Sequence, residues 1–249
     1  MFTKIKYIIS AILLTALANI TVSCVECSNS RTGIRIGQSS AVIQEKEVSY
    51  FNVVEFDGDF EVAIRQGNAC SLTMEGTEDI LNMIIIEEKD EVLKISQIQE
   101  DTKKRQNKVL ISLNVVDLVK ITGERSLKII TPELLTFDNL HIDISGAVNM
   151  DMNIHGNMLT GDFKGASSIK LAGKVAEMNI TMPGAGKIKA FDLMAENVVL
   201  ELAGAGKADI TAIKQLKVDM SGACMVAYKG NPENVFSNIS GIGRLKKVD

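Results

Sequence analysis

From residue 117 to residue 249, apolar and polar residues alternate, and the alternation recurs about every nineteen residues. Alternation with a period of two is typical of β-strands, and a repeat near twenty residues is typical of solenoids. The repeats align on glycines that lie 19, 19, 20, 18 and 19 residues apart: Gly146, Gly165, Gly184, Gly204, Gly222 and Gly241. Gly123 extends this series backwards. The pattern predicts one strand before each glycine, a corner at the glycine, and a second strand after it.

Two columns of apolar positions precede the corner glycines. The column six residues before each glycine contains Leu140, Leu159, Met178, Val198, Leu216 and Val235. The column two residues before it contains Ile144, Phe163, Met182, Leu202, Met220 and Ile239. Parallel strands stacked about 4.8 Å apart would bury both columns in one continuous core. We therefore predict an all-β fold, a parallel β-solenoid similar to a right-handed β-helix with repeats of about 19 residues.

The stretch from residue 46 to residue 130 is also rich in strand-forming residues, although it is less regular. Its segments alternate or are β-branched, as in FNVVEFDGDFEVAIRQG and KVLISLNVV, and Glu100–Lys108 reads as a charged loop. No linker rich in proline or serine separates this stretch from the repeats. We predict one continuous domain over 46–249, with the regular repeats at 117–249.

The first residues have the features of an export signal. Lys4 and Lys6 precede an apolar run from Tyr7 to Ile20, which is shorter than the roughly 20 residues of a membrane-spanning helix. Ser23 and Cys24 resemble the end of a bacterial lipobox, so we predict a lipoprotein signal peptide at 1–23, acylation of Cys24 and a tether at 24–45. Cleavage after Ala18 is the alternative, and it would release the protein into the periplasm.

The chain resembles the "putative auto-transporter adhesin, head GIN domain" family, a domain of unknown function found in exported proteins of Bacteroidota. The resemblance covers roughly residues 48–249. It is carried by FNVVEFDGDFEVAIRQGNACSLTMEG, by EVLKISQ, and by the serial turns ISGA, KGAS, PGAG, AGAG, SGAC and SGIG. It implies a β-solenoid exported to the envelope, and with the predicted lipid anchor we expect an outer-membrane or cell-surface lipoprotein. No catalytic or ligand-binding residue is implied by it.

The amino-acid composition limits the kinds of partner and reaction that the chain can support. Lys and Arg number 27 against 31 Asp and Glu, a formal charge of −4, which argues against nucleic acid as a partner. The chain has 2 His and no Trp, so general-base catalysis, metal ligation and stacking on sugars have few candidate side chains. We expect no cofactor, no metal and no catalytic residue.

The strongest candidate for function is an outward column three residues before the corner glycines. It contains four carboxylates, Asp143, Asp162, Glu201 and Asp219. Neighbouring carboxylates repel each other unless a bound cation, a raised pKa or flanking lysines relieve the repulsion. The column therefore suggests either a solvated acidic face or a face that binds a ligand or cation.

Two functional hypotheses follow from these features of the sequence. The first is a non-enzymatic envelope lipoprotein, an adhesin-like binding or structural module anchored to the membrane by its lipid. Its partner would be an envelope or host surface protein or glycan, and the sequence leaves self-association open. The alternative is a β-helix polysaccharide lyase or glycosidase that uses paired carboxylates of the same column.

Overall fold

The computed structural model describes residues 41–98 and 109–249. The predicted signal peptide, Cys24, the alternative cleavage site at Ala18 and the charged loop Glu100–Lys108 lie outside these residues. The described elements are β1 (Ala41–Lys46), β2 (Val53–Asp57), β3 (Phe60–Gln66), β4 (Ser71–Thr77), α1 (Glu78–Leu81), β5 (Ile84–Lys89), β6 (Val92–Gln97), β7 (Val109–Val115), β8 (Lys120–Ile130), β9 (Leu135–Met182), β10 (Ala185–Lys229), β11 (Asn234–Gly241) and β12 (Arg244–Lys247). The fold is all-β apart from α1, as predicted.

All twelve strands belong to one sheet. In the first part of the chain, β2 lies between β6 and β8 and is parallel to both, while β3 lies in the same way between β7 and β8. Strands β4 and β5 pair antiparallel with β7 and β6, and β1 pairs antiparallel with β4. Pairing in the first part of the chain therefore changes from parallel at β2 and β3 to antiparallel at β1, β4 and β5.

The later strands pair in parallel at offsets close to the sequence period. Ile121 of β8 is opposite Ile142 of β9, and Ile188 of β10 is opposite Ile169 of β9. Leu216 of β10 is opposite Val235 of β11. A register shift between Lys189 and Asp192 lengthens the β9–β10 offset slightly. The predicted period is thus the distance in sequence between paired strands.

The two predicted apolar columns form the core. Every member from Leu140 to Met220 is at most 3% exposed, because inward and outward side chains alternate along β9 and β10. The exceptions are the last members, Val235 and Ile239, which are each 41% exposed. They lie on β11, where no further strand of the described chain covers them.

The corner glycines stack on one another through their backbones. A Cβ on Gly165 would lie 2.1 Å from the carbonyl oxygen of Gly146, and the φ of Gly165 is +144°. The same contact with the preceding corner recurs at Gly184, Gly204, Gly222 and Gly241. A side chain would therefore clash with the backbone beneath it, which is the physical reason for the repeated glycine.

Gly123 does not belong to this series of corner glycines, so its assignment from the spacing of the repeats is wrong. It is opposite Ile144 in the inward column, whereas Arg125 is opposite the corner glycine Gly146. Arg125 has a positive φ of 74° although it is not glycine. The sequence misleads here because the offset from β8 to β9 is longer than the period of the later repeats, and the nearest preceding glycine is not the corner.

Inward side chains on either side of a corner compensate for one another in volume. A Cβ on Gly123 would lie 2.1 Å from Cδ1 of Leu127, and a Cβ on Gly186 would lie 2.5 Å from Sδ of Met182. In both cases one large side chain fills the space that its counterpart four residues away leaves empty. The core is thus close-packed although single positions vary from glycine to leucine.

The first described strand overlaps the predicted tether. Strand β1 (Ala41–Lys46) includes the last five residues of the predicted tether, 41–45, because this alternating segment pairs with β4 along its whole length. In the described ranges, no helix has the length and apolar character that crossing a membrane requires.

Candidate functional site

The structure places the predicted acidic column on the outer surface. Asp143, Asp162 and Asp219 have side chains about one third exposed, at 37%, 33% and 34%, and Glu201 is exposed. Each alternates with buried neighbours on β9 or β10, so the strand geometry directs it outwards. We call these four residues the acidic face.

A lysine holds the first two carboxylates of the acidic face together. Lys164 Nζ lies 3.3 Å from Oδ1 of Asp143 and 3.3 Å from Oδ2 of Asp162. Hydrogen bonds to Asp143 and then to Asp162 raise the pKa of Lys164 above its ordinary value. The ammonium group therefore offsets the repulsion between the two acids, which is one of the three alternatives that the sequence left open.

One oxygen of this cluster has no such partner. Oδ1 of Asp162 is buried and accepts no hydrogen bond from the described residues. The side chain as a whole is one third exposed, so a small rotation would bring this oxygen to solvent or to a bound group. A carboxylate with one oxygen paired and one unpaired retains capacity to accept a further donor.

The other two acids are arranged differently. Asp219 pairs with Lys217 of its own strand at 3.3 Å. Glu201 is opposite Thr181, not a carboxylate, in the preceding repeat. Since Gly222 packs on Gly204, Asp219 and Glu201, each three residues before its glycine, are brought to neighbouring positions. The acidic face thus consists of two pairs separated by Thr181.

The acidic face continues into the first part of the chain, which sequence reasoning missed. Thr122 is opposite both Glu55 of β2 and Asp143 of β9. These residues, together with Asp57, Lys94 and Glu124, line a groove of about 210 Å³. Only the strand register reveals the continuation, because Glu55 and Asp143 are far apart in sequence.

A larger groove of about 420 Å³ lies on another part of the surface. Its lining includes Asp117, Phe137, His141 and Met158. Tyr50 donates a hydrogen bond from its hydroxyl to Asp117, which raises the pKa of Tyr50. Asp143 and Asp162 do not line this groove, so the predicted acid pair and His141 do not share a pocket. His155, the other histidine, is exposed.

The described residues offer little else for metal or redox chemistry. No three His, Cys, Asp or Glu side chains within 41–98 and 109–249 are grouped so as to hold a metal ion. Cys70 is half-buried with a free thiol, and Cys224 is a buried free thiol beside backbone carbonyls of its own and the preceding repeat. The predicted lipidation site Cys24 and its neighbour Cys27 are outside the described ranges.

Several solved structures share this fold. A protein from Bacteroides fragilis NCTC 9343, described as a putative adhesin, superimposes with a TM-score of 0.80 at 22% identity, covering 85% of this chain and 98% of that one. A putative adhesin from Parabacteroides distasonis ATCC 8503 gives a TM-score of 0.68 at 21% identity, with coverages of 84% and 98%. A putative lipid binding protein from the same organism gives 0.62 at 20% identity, with coverages of 84% and 97%. At these identities the likeness establishes the fold alone.

Sequence comparison identifies the family. The search among curated proteins found no match to the sequence. A family model described as "putative auto-transporter adhesin, head GIN domain" matches residues 50–232, which is most of the chain and includes β2 to β10. The match confirms the resemblance drawn from the strand and turn motifs. The chain therefore belongs to the auto-transporter adhesin head GIN domain family.

Proposed function

We propose that this protein is a non-enzymatic cell-envelope lipoprotein whose repeats form a β-solenoid and present the acidic face to a partner. The observation that carries the proposal is the parallel register from β8 to β12, at offsets close to the sequence period. Such a register repeats each outward position at every turn, so that one column of side chains becomes an extended surface. The family's description as an adhesin supports a surface that binds.

The stacking of the corner glycines supports the solenoid itself. From Gly165 to Gly241, each corner glycine packs on the carbonyl group of the corner glycine one repeat earlier. Ion pairs have similar separations in sequence, since Lys170 pairs with Asp151 and Lys214 with Glu196. A side chain that meets its counterpart one repeat earlier is in the position that a coil of one repeat per turn requires.

The electrostatics of the acidic face favour recognition over catalysis. Glycoside cleavage by two acids needs one carboxyl group to remain protonated, which usually requires a dry, enclosed setting. Asp143 and Asp162 instead share the ammonium group of Lys164 on an open surface. A partner with its own cationic groups could replace Lys164 at these carboxylates. We therefore propose a basic surface on an envelope or host component as the partner.

The binding proposal is tested by pull-down from native envelopes with two variants of equal charge. The first carries Asp143→Asn, Asp162→Asn, Glu201→Gln and Asp219→Asn. The control carries Asp138→Asn, Asp151→Asn, Asp192→Asn and Glu196→Gln, which neutralise four acids outside the acidic face. We expect the first variant alone to lose its partner, and capture by the wild type to weaken with added salt. Equal capture by both variants would contradict the proposal.

The enzymatic alternative has its own test. The wild-type protein is incubated with envelope and host polysaccharides, and new reducing ends or unsaturated products are measured. We expect no turnover. Turnover that Asp162→Ala abolishes would establish a β-helix lyase or glycosidase that uses the paired carboxylates, and would replace the binding module as the function.

The lipid anchor is tested separately. We propose that Cys24 is acylated and holds the protein at the membrane, with the domain exported to the outer membrane or cell surface. Cys24→Ala should release the protein from the membrane fraction and abolish acyl labelling. A variant that remains membrane-bound and unprocessed would indicate a retained helix. A wild-type protein that is already soluble would indicate cleavage after Ala18.

A further inference from the structure

Strand β11 lies at an edge of the sheet and is open on one side. It pairs in parallel with β10, and no other described strand pairs with it. All eight of its residues are exposed. Phe236 is 55% exposed, and Val235 and Ile239, whose register partners Leu216 and Met220 are buried, are each 41% exposed. The apolar core therefore reaches the surface at this strand, beside a row of unpaired backbone groups.

This edge lacks the protection that the other free edges of the sheet have. The path of strands ends at β1 and β5, which carry Glu45 and Lys46, and Glu87, Glu88 and Lys89. Strand β12, also at the open end, has the sequence RLKK. Charges on free edges discourage pairing with other chains. The segment 234–243, NVFSNISGIG, has neither a charge nor a proline, so its sequence is that of a strand that is covered.

We propose that β11 pairs antiparallel with β11 of a second copy of this chain, forming a symmetric dimer. The register follows from the alternation along the strand. Val235, Ser237 and Ile239 occupy the inward positions, because their register partners Leu216, Val218 and Met220 are buried. Residues directly opposite each other in an antiparallel pair point to the same face. Inward positions therefore face inward positions when the twofold axis passes through a residue of β11, and the choice of residue decides which of them face each other.

Centring the axis on Ser237 pairs residues 234–240 and brings the two exposed apolar inward positions together. Val235 of one copy then faces Ile239 of the other, and the two Ser237 residues face each other. Each copy thereby covers the exposed apolar positions of the other, and the backbone groups of both edges are paired. Such an interface is closed by its own symmetry and does not propagate into a fibre.

The charges that flank β11 favour this antiparallel arrangement. Glu233 precedes the strand, and Arg244 follows it after the turn at 242–243; both are exposed. Antiparallel pairing brings the acidic beginning of one strand towards the basic end of the other. A parallel arrangement would bring like charges together. The edge is therefore complementary to itself in direction as well as in apolar content.

The dimer is tested by analytical ultracentrifugation of the full chain carrying Cys24→Ala, which removes the predicted acylation site. We expect a dimer at micromolar concentration. Ser237→Lys places two like charges face to face at the axis and should weaken association at least about tenfold. The control is Ser168→Lys, which adds the same charge at an exposed position on β9 and should leave the dimer intact.

A cross-linking experiment covers the case in which Ser237→Lys fails to fold. Under mild oxidation, Ser237→Cys should form a disulfide with its own counterpart, and Val235→Cys should not, because residues 235 lie on opposite sides of the axis. Mass spectrometry of the linked peptides identifies the pair. A monomeric wild type, a mass that grows without limit with concentration, or equal self-linking at 235 and 237 would overturn the proposal. Each of these outcomes leaves the test of the acidic face unaffected.

Discussion

The repeats have glycine at the corner, whereas the equivalent corner of β8 has arginine, the residue with one of the longest side chains. At Gly165, the carbonyl oxygen of Gly146 occupies the space that a side chain would need. At the equivalent position of β8, Arg125 keeps a positive φ and extends its guanidinium over the preceding strands. It donates hydrogen bonds to the carboxylate of Asp57 and to the backbone carbonyls of Asp57 and Gln97.

The corner residue has a different structural role in each region. The repeats are stacked on copies of themselves, and the closest backbone approach is obtained by removing the side chain. The first part joins strands of different length and direction, and its corner position has to link three of them. Two guanidinium nitrogens of Arg125 donate to the same carboxylate oxygen of Asp57, and one of them also donates to the carbonyl of Gln97, so Arg125 connects β8 to β2 and to the end of β6.

The largest expected effect compares a middle repeat with the last one. Leu202 is buried at 2%, and its replacement by alanine should destabilise the protein by about 2–5 kcal/mol. Ile239 occupies the same column on β11 but is 41% exposed, so Ile239→Ala should cost about 1 kcal/mol or less in the monomer. Urea unfolding midpoints measure both.

A surface control accompanies this pair. Lys217 is exposed, and its ion pair with Asp219 is on the surface, so Lys217→Ala should change stability by no more than about 0.5 kcal/mol. If Leu202→Ala proved as mild as Lys217→Ala, the inward column would not be a packed core. The period would then need another explanation.

The next effect tests the glycine corner directly. Gly165→Ala forces a Cβ against the backbone of Gly146 at a positive φ, and should destabilise the protein by about 1–3 kcal/mol or more. Gly67 is the matched control, because its Cβ would meet no atom closer than 3.9 Å. Gly67→Ala should be neutral or slightly stabilising. Thermal unfolding that ranks the two variants equally would contradict the stacking of the corners.

A smaller effect tests the corner of β8. Arg125→Ala loses the pair with Asp57 and retains the unfavourable φ, whereas Arg125→Gly loses the same pair and relieves the backbone. We therefore expect Arg125→Gly to be more stable than Arg125→Ala by about 1 kcal/mol. The difference in unfolding free energy between the two variants isolates the backbone contribution. The opposite ranking would show that φ at residue 125 is unstrained.

The smallest effect concerns the acidic face and depends on pH. Contact with Asp143 and Asp162 raises the pKa of Lys164 above its ordinary value of 10.5. The stabilisation from this contact is therefore complete below pH 10.5, and is lost as the pH rises through the pKa of the folded state. Wild type should be slightly more stable than Lys164→Gln at neutral pH, and the two should converge in strongly alkaline solution.

The control for this measurement is Lys187→Gln, since Lys187 is opposite Ser168 and not a carboxylate. Urea unfolding midpoints of the wild type and both variants are compared at several pH values, from neutral to strongly alkaline. A difference between wild type and Lys164→Gln that persists unchanged through the whole range would show that Lys164 acts through packing and not through its charge.

Sequence reasoning succeeded where the repeat constrains each position independently. The buried columns from Leu140 to Met220, the outward position of Asp143 and the corner at Gly165 all follow from alternation and spacing alone. These features depend on a residue's own position in the repeat. A single sequence contains that information because the chain presents the same position several times.

It failed where a position depends on a distant strand. The role of Arg125 depends on Asp57 and Gln97, and the assignment of Gly123 to the corner ignored its packing against Leu127. The start of β1 at Ala41 depends on pairing with β4. The first part has no repeated position with which such pairings could be compared, so local pattern did not reveal them.

The most direct test of the account is the register of neighbouring repeats. Ser168 is opposite Lys187, and Gly206 lies over Gly186, so Lys187 and Lys207 should also be neighbours; all three side chains are exposed. In cysteine pairs at 168/187 and at 187/207, the Cα atoms would be about 4.8 Å apart, which is within the range of a disulfide. In a pair at 168/207 the Cα atoms would be about twice as far apart, which is outside that range. After mild oxidation, mass spectrometry should find disulfides in the variants Ser168→Cys/Lys187→Cys and Lys187→Cys/Lys207→Cys. A cross-link in Ser168→Cys/Lys207→Cys, or none in Lys187→Cys/Lys207→Cys, would contradict a coil of one repeat per turn.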